Sequence, residues 1–225
     1  RFCKQLRLKW LLQKHVPFQH ERVNRYHPAD LLLAILYAMI AGISRLNATK
    51  LLQYNGCSQH LLGLHSFPDP SRLRRWLMHL TAAELEGIGT VHDWLRLQRF
   101  YEPRPRTSVT CDLDSTVLVL DGWQIEGAKV GYNPKKPRRP SYHPLLCFEG
   151  HTQDCWDGWL RPGDTHSASG ARIFLERCLA RVPERVYRLR VRGDAGFFDH
   201  EITEFLDERK IGYAIVARLT RPIQR

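Results

Sequence analysis

Residues 109–120, "VTCDLDSTVLVL", decide how the second half of the chain folds. Val109, Cys111, Leu113, Val117 and Val119 fall on one parity, and Thr110, Asp112, Asp114 and Thr116 on the other. That period of two describes a strand with one apolar face. Asp112 and Asp114 therefore share a face, about 6.6 Å apart along the strand. Two unit charges at that separation repel by roughly 2 to 3 kcal/mol at an effective dielectric of about 20. A bound cation, or a proton kept by one carboxylate, relieves the repulsion. An edge strand with its polar side in water has the same pattern, and the stretch alone leaves both open.

A second acid stands at the end of another strand pattern. "YRLRVRGDAGFFDH", residues 187–200, leads a strand into Asp194, followed by Gly196 and a helix. An acid at a strand tip beside a glycine is a place where a ligand can approach. It is equally the place for a turn residue that bonds its own backbone. If this strand neighbours the first, Asp114 and Asp194 meet and can hold a divalent cation.

The rest of the chain frames these two stretches. Strands are expected near 109–120, 143–149, 154–160, 186–193 and 212–218, and helices near 168–181 and 199–209, capped by Ser167 or Ser169 and by Asp199. This order predicts a mixed α/β (α+β) sheet with helices packed on it. Residues 1 to about 100 read as helical, with starts at Asn47, at Asp69 before Pro70, and at Thr81, where Glu84 completes a capping box. The basic segment "PDPSRLRRWLMHL" fits either a helix-turn-helix reader or a bundle helix burying Leu73, Trp76, Leu77 and Leu80. "QRFYEPRPRTS", 98–108, reads as a linker, giving a helical region at 1–104 and a second domain of strands and short helices at 105–225. The chain starts at Arg1 rather than Met and stops just after "YAIVARL", so a fragment is expected at both ends.

Composition narrows the partner. With 34 Lys and Arg against 23 Asp and Glu the formal charge is +11, which favours a polyanion, nucleic acid first. Lys129, Lys135, Lys136, Arg138 and Arg139 lie in "GAKVGYNPKKPRRPSYH" with no acid between Glu126 and Glu149. Prolines there predict an extended segment whose cations stay available to phosphates, or a solvated loop. The apolar run 31–43 is too short to span a membrane, and no secretory signal is visible. The six cysteines lack a CxxC pair, which points to a reducing compartment. His143, Cys147, His151 and Cys155 recur every fourth residue, but Pro144 and strand character argue against a convergent zinc site.

Two families share motifs with the chain. "DLDSTVL" and "GDAGFFD" resemble haloacid-dehalogenase-like phosphatases, which implies Asp112 as nucleophile, Asp114 as general acid, and Asp194 with Asp199 placing magnesium. "YHPADLLLAILYAMIAG", "DLDSTVLVLDGWQIEGAKVGYNPKKPRRPSYHPLLCF", "RGDAGFF" and "GYAIVARLT" resemble group-one DDE transposases of bacterial insertion sequences, the branch numbered thirteen-eighty, over nearly the whole chain. That resemblance implies a ribonuclease-H-like domain in which two aspartates and a glutamate hold two Mg2+ or Mn2+ ions. On it, Asp114 and Asp194 are the catalytic metal ligands, and Asp112 and Thr116 are auxiliary. It further implies DNA as partner (element ends and target), a homodimer of the full-length protein, and a cytoplasmic, nucleoid-associated location. The family's glutamate falls beyond residue 225, and Glu201, Glu204 and Glu208 lie too close to Asp194 to replace it. The fragment is therefore expected to be inactive alone, and a remnant that only binds DNA is the non-enzymatic alternative.

Overall fold

The structure, a computed structural model, describes residues 5–19, 26–63, 66–101, 106–122, 124–133 and 136–217. The chain divides into two compact units, Arg1–Leu97 and Gln98–Arg225.

The first unit is helical: α1 (Leu8–His15), α2 (Pro28–Ile40), a 3-10 turn (Leu46–Thr49), α3 (Lys50–Gln53), α4 (Gly56–Leu62), α5 (Pro70–Met78) and α6 (Ala82–Tyr101). Caps fix several starts. Asp69 accepts from the Ser71 N–H at 2.8 Å, with Pro70 supplying the first helical residue. At α6 the capping box forms in both directions: Glu84 Oε2 takes the Thr81 N–H at 2.8 Å, and Thr81 Oγ1 takes the Glu84 N–H at 3.3 Å. The apolar run belongs to α2, which buries Leu31, Leu33, Ala34 and Ala38 but leaves Met39 and Ile40 exposed. No described helix is long and apolar enough to cross a membrane.

Three expectations change here. The helix expected from Asn47 begins as the 3-10 turn at Leu46 after Arg45, which makes no side-chain cap. Helix α6 continues to Tyr101 through the start of the expected linker, and 102–105 lie outside the described residues. On α5, Leu73 is fully buried, whereas Leu77 and Met78 are exposed, so its apolar contact is narrower than a bundle helix would give.

The second unit holds β1 (Ser108–Ser115), β2 (Leu118–Val119), β3 (Lys129–Val130), β4 (Pro140–Tyr142), β5 (Leu145–Glu149), β6 (Cys155–Trp159), α7 (Ala171–Leu179), β7 (Arg188–Gly193), α8 (His200–Glu208) and β8 (Gly212–Ile215). The main sheet runs β6-β5-β1-β7-β8. β5 is antiparallel to both β1 and β6, whereas β1, β7 and β8 are parallel. This order, with the second strand reversed, is the ribonuclease-H-like arrangement. It is not the parallel Rossmann-like order that the phosphatase reading needs, so that reading is set aside.

Alternation along β1 is as the sequence predicts: Val109, Cys111 and Leu113 are buried and their neighbours are not. Those three, with Leu145, Cys147 and Val191, meet Phe174 and Leu175 of α7 and Ile202, Phe205 and Leu206 of α8 in one core. Burying each large apolar side chain there contributes about 1.5 to 3 kcal/mol. The expected strand 109–120 is really two. Ser115 pairs with Leu145, and beyond that pair Pro144 offers only a carbonyl, which accepts from the Thr116 N–H at 3.4 Å. A proline cannot donate to continue the ladder, so the chain passes into a small second sheet, β2-β4-β3. α7 is capped by neither Ser167 nor Ser169; Gly170, at φ +69°, occupies the cap position without a side-chain bond. A Cβ there would come within 2.9 Å of the Trp159 ring, so the turn needs glycine for space as well as for φ. Asp199 caps α8 as expected, accepting from the Glu201 N–H at 2.9 Å.

Candidate active site

β1 and β7 are parallel neighbours, paired from Ser108 with Arg188 to Leu113 with Gly193 at a constant offset of 80. Asp114 and Asp194 are the next residues on the two chains, so both acids stand at the same C-terminal edge of the sheet. Both are exposed. Asp114 Oδ1 accepts from the Ser115 N–H at 2.8 Å, and Asp194 Oδ1 from the Gly196 N–H at 2.8 Å. The turn-residue reading of Asp194 is thus true of one oxygen only. Among the described residues neither Oδ2 takes a hydrogen bond.

Asp112 is different. Its carboxylate receives both arms of the Arg192 guanidinium, Nε to Oδ1 at 2.6 Å and Nη2 to Oδ2 at 2.5 Å, a bidentate pair across the register. Those bonds and the Asp112 charge raise the pKa of Arg192 above its ordinary value. Gly150 leaves room for the pair, since a Cβ there would lie 2.6 Å from Arg192 Nη2 and 2.9 Å from Asp112 Oδ2. The repulsion between Asp112 and Asp114 is therefore relieved by an arginine on the neighbouring strand.

Next to Asp194 is a cavity of about 300 Å³ whose polar lining is Ser115, Thr116, Tyr132, Asn133, His143, Ser167 and Asp194. Ser115 and Ser167 share a hydroxyl hydrogen bond of 3.0 Å, tying the end of β1 to the loop before α7. His143, Asn133 and Ser167 were not singled out by sequence reasoning as parts of this site. His143 had a signal, its place in "SYHPLL" directly before β5, but its spacing to Cys147 drew it into the zinc pattern instead. That pattern does not converge. Cys147 lies in the core, where hydrogen bonds with Cys111 and Cys178, together with burial, push its thiol pKa far up, while Cys155 is exposed. Among the described residues no three His, Cys, Asp or Glu are grouped to hold a metal. Glu201, Glu204 and Glu208 line a separate recess on α8 with Arg172 and Phe205.

The basic segment is less open than its sequence suggests. Lys129, on β3, lies 3.5 Å from Asp164, an acid distant in sequence. Pro137 and Arg138 form a turn, with Arg138 at φ +65°, so the segment is not extended throughout. Lys136, Arg138 and Arg139 are exposed, and Lys135 lies outside the described residues.

The model of the transposase DDE domain group 1 family matches residues 1–225. The chain belongs to this family. A comparison with curated proteins gives no match. Among solved structures, a piggyBac transposase synaptic complex with hairpin DNA is 14% identical, with 96% of this chain and 48% of that chain covered and a TM-score of 0.45. A Mos1 transposase paired-end complex with the left transposon end is 12% identical, with 89% and 61% covered and a TM-score of 0.32. A Drosophila P element transposase strand transfer complex is 11% identical, with 92% and 43% covered and a TM-score of 0.38. This group 1 DDE transposase chain thus spans about half the length of the solved transposases it matches. Mos1 mariner paired end complexes were solved with Mn and with Mg. The donor set of the present chain suits a hard divalent cation. Asp114 and Asp194 present exposed carboxylate oxygens at one sheet edge, each with one oxygen uncommitted among the described residues.

Proposed function

We propose that this chain forms the catalytic region of an insertion-sequence DNA transposase of the branch numbered thirteen-eighty, cutting and joining DNA strands at Asp114 and Asp194. The observation that carries the reading is the contrast on β1: Asp112 is saturated by Arg192, whereas Asp114 and, at the tip of β7, Asp194 each keep an oxygen without a partner among the described residues.

In strand cleavage a water attacks a phosphodiester, one P–O bond forms and one breaks, and a 3′-hydroxyl is released. In strand transfer that hydroxyl attacks a target phosphodiester in the same way. Asp114 and Asp194 would hold Mg2+ or Mn2+, which when bound stabilises charge developing on the phosphate oxygens. The parallel pairing of β1 with β7 fixes both carboxylates on rigid strand ends, so little reorganisation is needed when DNA arrives. Thr116 serves at the wall of the adjoining cavity. Arg192 occupies both oxygens of Asp112, which makes Asp112 an auxiliary group. Lys136, Arg138 and Arg139 contact the DNA backbone, joined by Lys129 when DNA competes with Asp164, and by Lys135. Such contacts position the strand and do not read its sequence. The whole protein acts as a homodimer on element ends and target DNA at the nucleoid.

The test is end cleavage and strand transfer by the full-length protein with Mg2+. Asp114→Asn and Asp194→Asn are expected to abolish both while DNA binding persists. Undiminished cleavage in either variant would refute the assignment. Salt-sensitive DNA binding without cleavage by the wild type would leave only a DNA-binding remnant.

A further inference from the structure

His143 is held more firmly than a packing residue requires. It sits between β4 and β5 with 7% of its surface exposed. Its N–H donates to the Arg161 carbonyl at 2.8 Å, and its own carbonyl accepts from Arg161 Nε at 3.1 Å. The ring Nδ1 lies 2.6 Å from the Thr165 carbonyl oxygen. A carbonyl only accepts, so Nδ1 carries a proton, and in the neutral ring Nε2 is the acceptor. Among the described residues Nε2 takes no hydrogen bond, and His143 lines the cavity that contains Asp194. A histidine serving the core alone would be expected to satisfy both nitrogens.

The surroundings extend this arrangement. Arg161 is 2% exposed and, among the described residues, has no carboxylate partner. Its fork instead gathers the carbonyls of His143, His166, Ser167 and Ser169, the last at 2.6 Å. Burying a guanidinium without a counter-ion is costly, and here the cation fixes the backbone on both sides of the cavity. Asn133, 6% exposed, accepts at Oδ1 from the Lys136 N–H at 2.9 Å, while its Nδ2 has no partner among the described residues. An unmade hydrogen bond at a buried donor is unfavourable until something fills it. The cavity therefore combines an acceptor wanting a hydroxyl with a donor wanting an anionic or carbonyl oxygen. A strand end of DNA offers both, a 3′-hydroxyl and a phosphate.

We propose that His143 is a further catalytic residue of this site, its Nε2 accepting a hydrogen bond from the 3′-hydroxyl of a DNA end seated in the cavity beside Asp194, with Asn133 Nδ2 donating to a phosphate oxygen. The inference rests on the proposed strand-transfer function and names the groups that receive its nucleophile. His143→Asn places an amide N–H where Nδ1 stood, keeping the bond to Thr165, and removes Nε2. In the full-length protein it is expected to slow joining of a pre-cut 3′-hydroxyl end roughly 10- to 100-fold, leaving the melting temperature and duplex affinity unchanged. A second readout is independent of catalysis. The Nε2 nitrogen resonance of wild-type His143 should shift when a short oligonucleotide ending in a 3′-hydroxyl is added, and stay still for the same oligonucleotide ending in a 3′-deoxy sugar. An unshifted resonance, or equal shifts with both, overturns the inference, as does an unimpaired His143→Asn. If His143→Asn is fully active while Asp114→Asn and Asp194→Asn are dead, this inference alone falls. If the wild type neither cuts nor joins DNA, the function falls and the resonance still decides where a 3′ end binds.

Discussion

The two ends of β1 hold carboxylates in opposite conditions. At the N-terminal end, Glu149 is 2% exposed. It accepts from Arg106 at 3.2 Å, from the N–H groups of Thr110, His151 and Thr152 at 3.5, 3.2 and 2.8 Å, and from the Thr152 hydroxyl at 2.9 Å. At the C-terminal end, Asp114 and Asp194 are exposed and each takes one local N–H. A buried carboxylate must have its lone pairs filled by the protein, and Glu149 does. An open, underfilled pair is costly to assemble and contributes little to the fold. It is therefore the end at which a ligand can supply the missing charge.

The largest expected effect of breaking this contrast is on chemistry at the open end. Asp194→Asn should lower end cleavage roughly a thousandfold or more, because metal-based charge stabilisation is worth several kcal/mol and about 1.4 kcal/mol is tenfold in rate. Its melting temperature should not fall; gel-based cleavage and a thermal scan check the two halves. The saturated end should respond in reverse. Glu149→Leu strands five donors, and is expected to destabilise the protein by about 2 to 4 kcal/mol in urea unfolding. A Glu149→Leu variant as stable as wild type would mean that these bonds do not hold β1 to the turn after β5.

Glu84 repeats the saturated arrangement in the helical unit. Burial acts to raise its pKa, but the Thr81 N–H and hydroxyl and the Gln19 N–H outweigh it and leave the carboxyl below its ordinary value. The ionised form therefore favours the fold. Its stabilisation is complete above the unfolded value, about pH 4.3, and is lost as pH falls through the lower folded value. Thr81→Ala should cost about 1 kcal/mol at neutral pH and flatten that acid limb in a pH series of melts. The smallest effect belongs to Asp112. Exposed pairs contribute about 0 to 1 kcal/mol, so Asp112→Asn should barely move stability and should reduce cleavage far less than Asp114→Asn. A loss as large as that of Asp114→Asn would make Asp112 a member of the reacting centre.

Much of this was legible from local pattern. Period two in 109–115 and the caps at Asp69, Thr81 and Asp199 depend on neighbours in sequence, and the structure has them. What failed depended on distant partners. β1 stops at Ser115 because of Pro144 across the ladder, and Asp112 is occupied because Arg192 comes alongside, 80 residues away. Lys129 meets Asp164 for the same reason. The doublet at 112 and 114 looked symmetrical in one dimension, and only the strand beside it separates the two acids. Of the site itself, the acids could be picked from the sequence but the cavity wall could not, since Asn133, His143 and Ser167 come from three separate segments.

On the proposed function, Asp114 and Asp194 together bind a divalent cation that Asp112 does not. Mn2+ binding followed by electron paramagnetic resonance on wild type, Asp112→Asn, Asp114→Asn and Asp194→Asn tests it most directly. Saturable Mn2+ binding is expected in wild type and Asp112→Asn, weakened at least about tenfold in the other two. Binding unchanged in Asp114→Asn and Asp194→Asn, or lost only in Asp112→Asn, would contradict it.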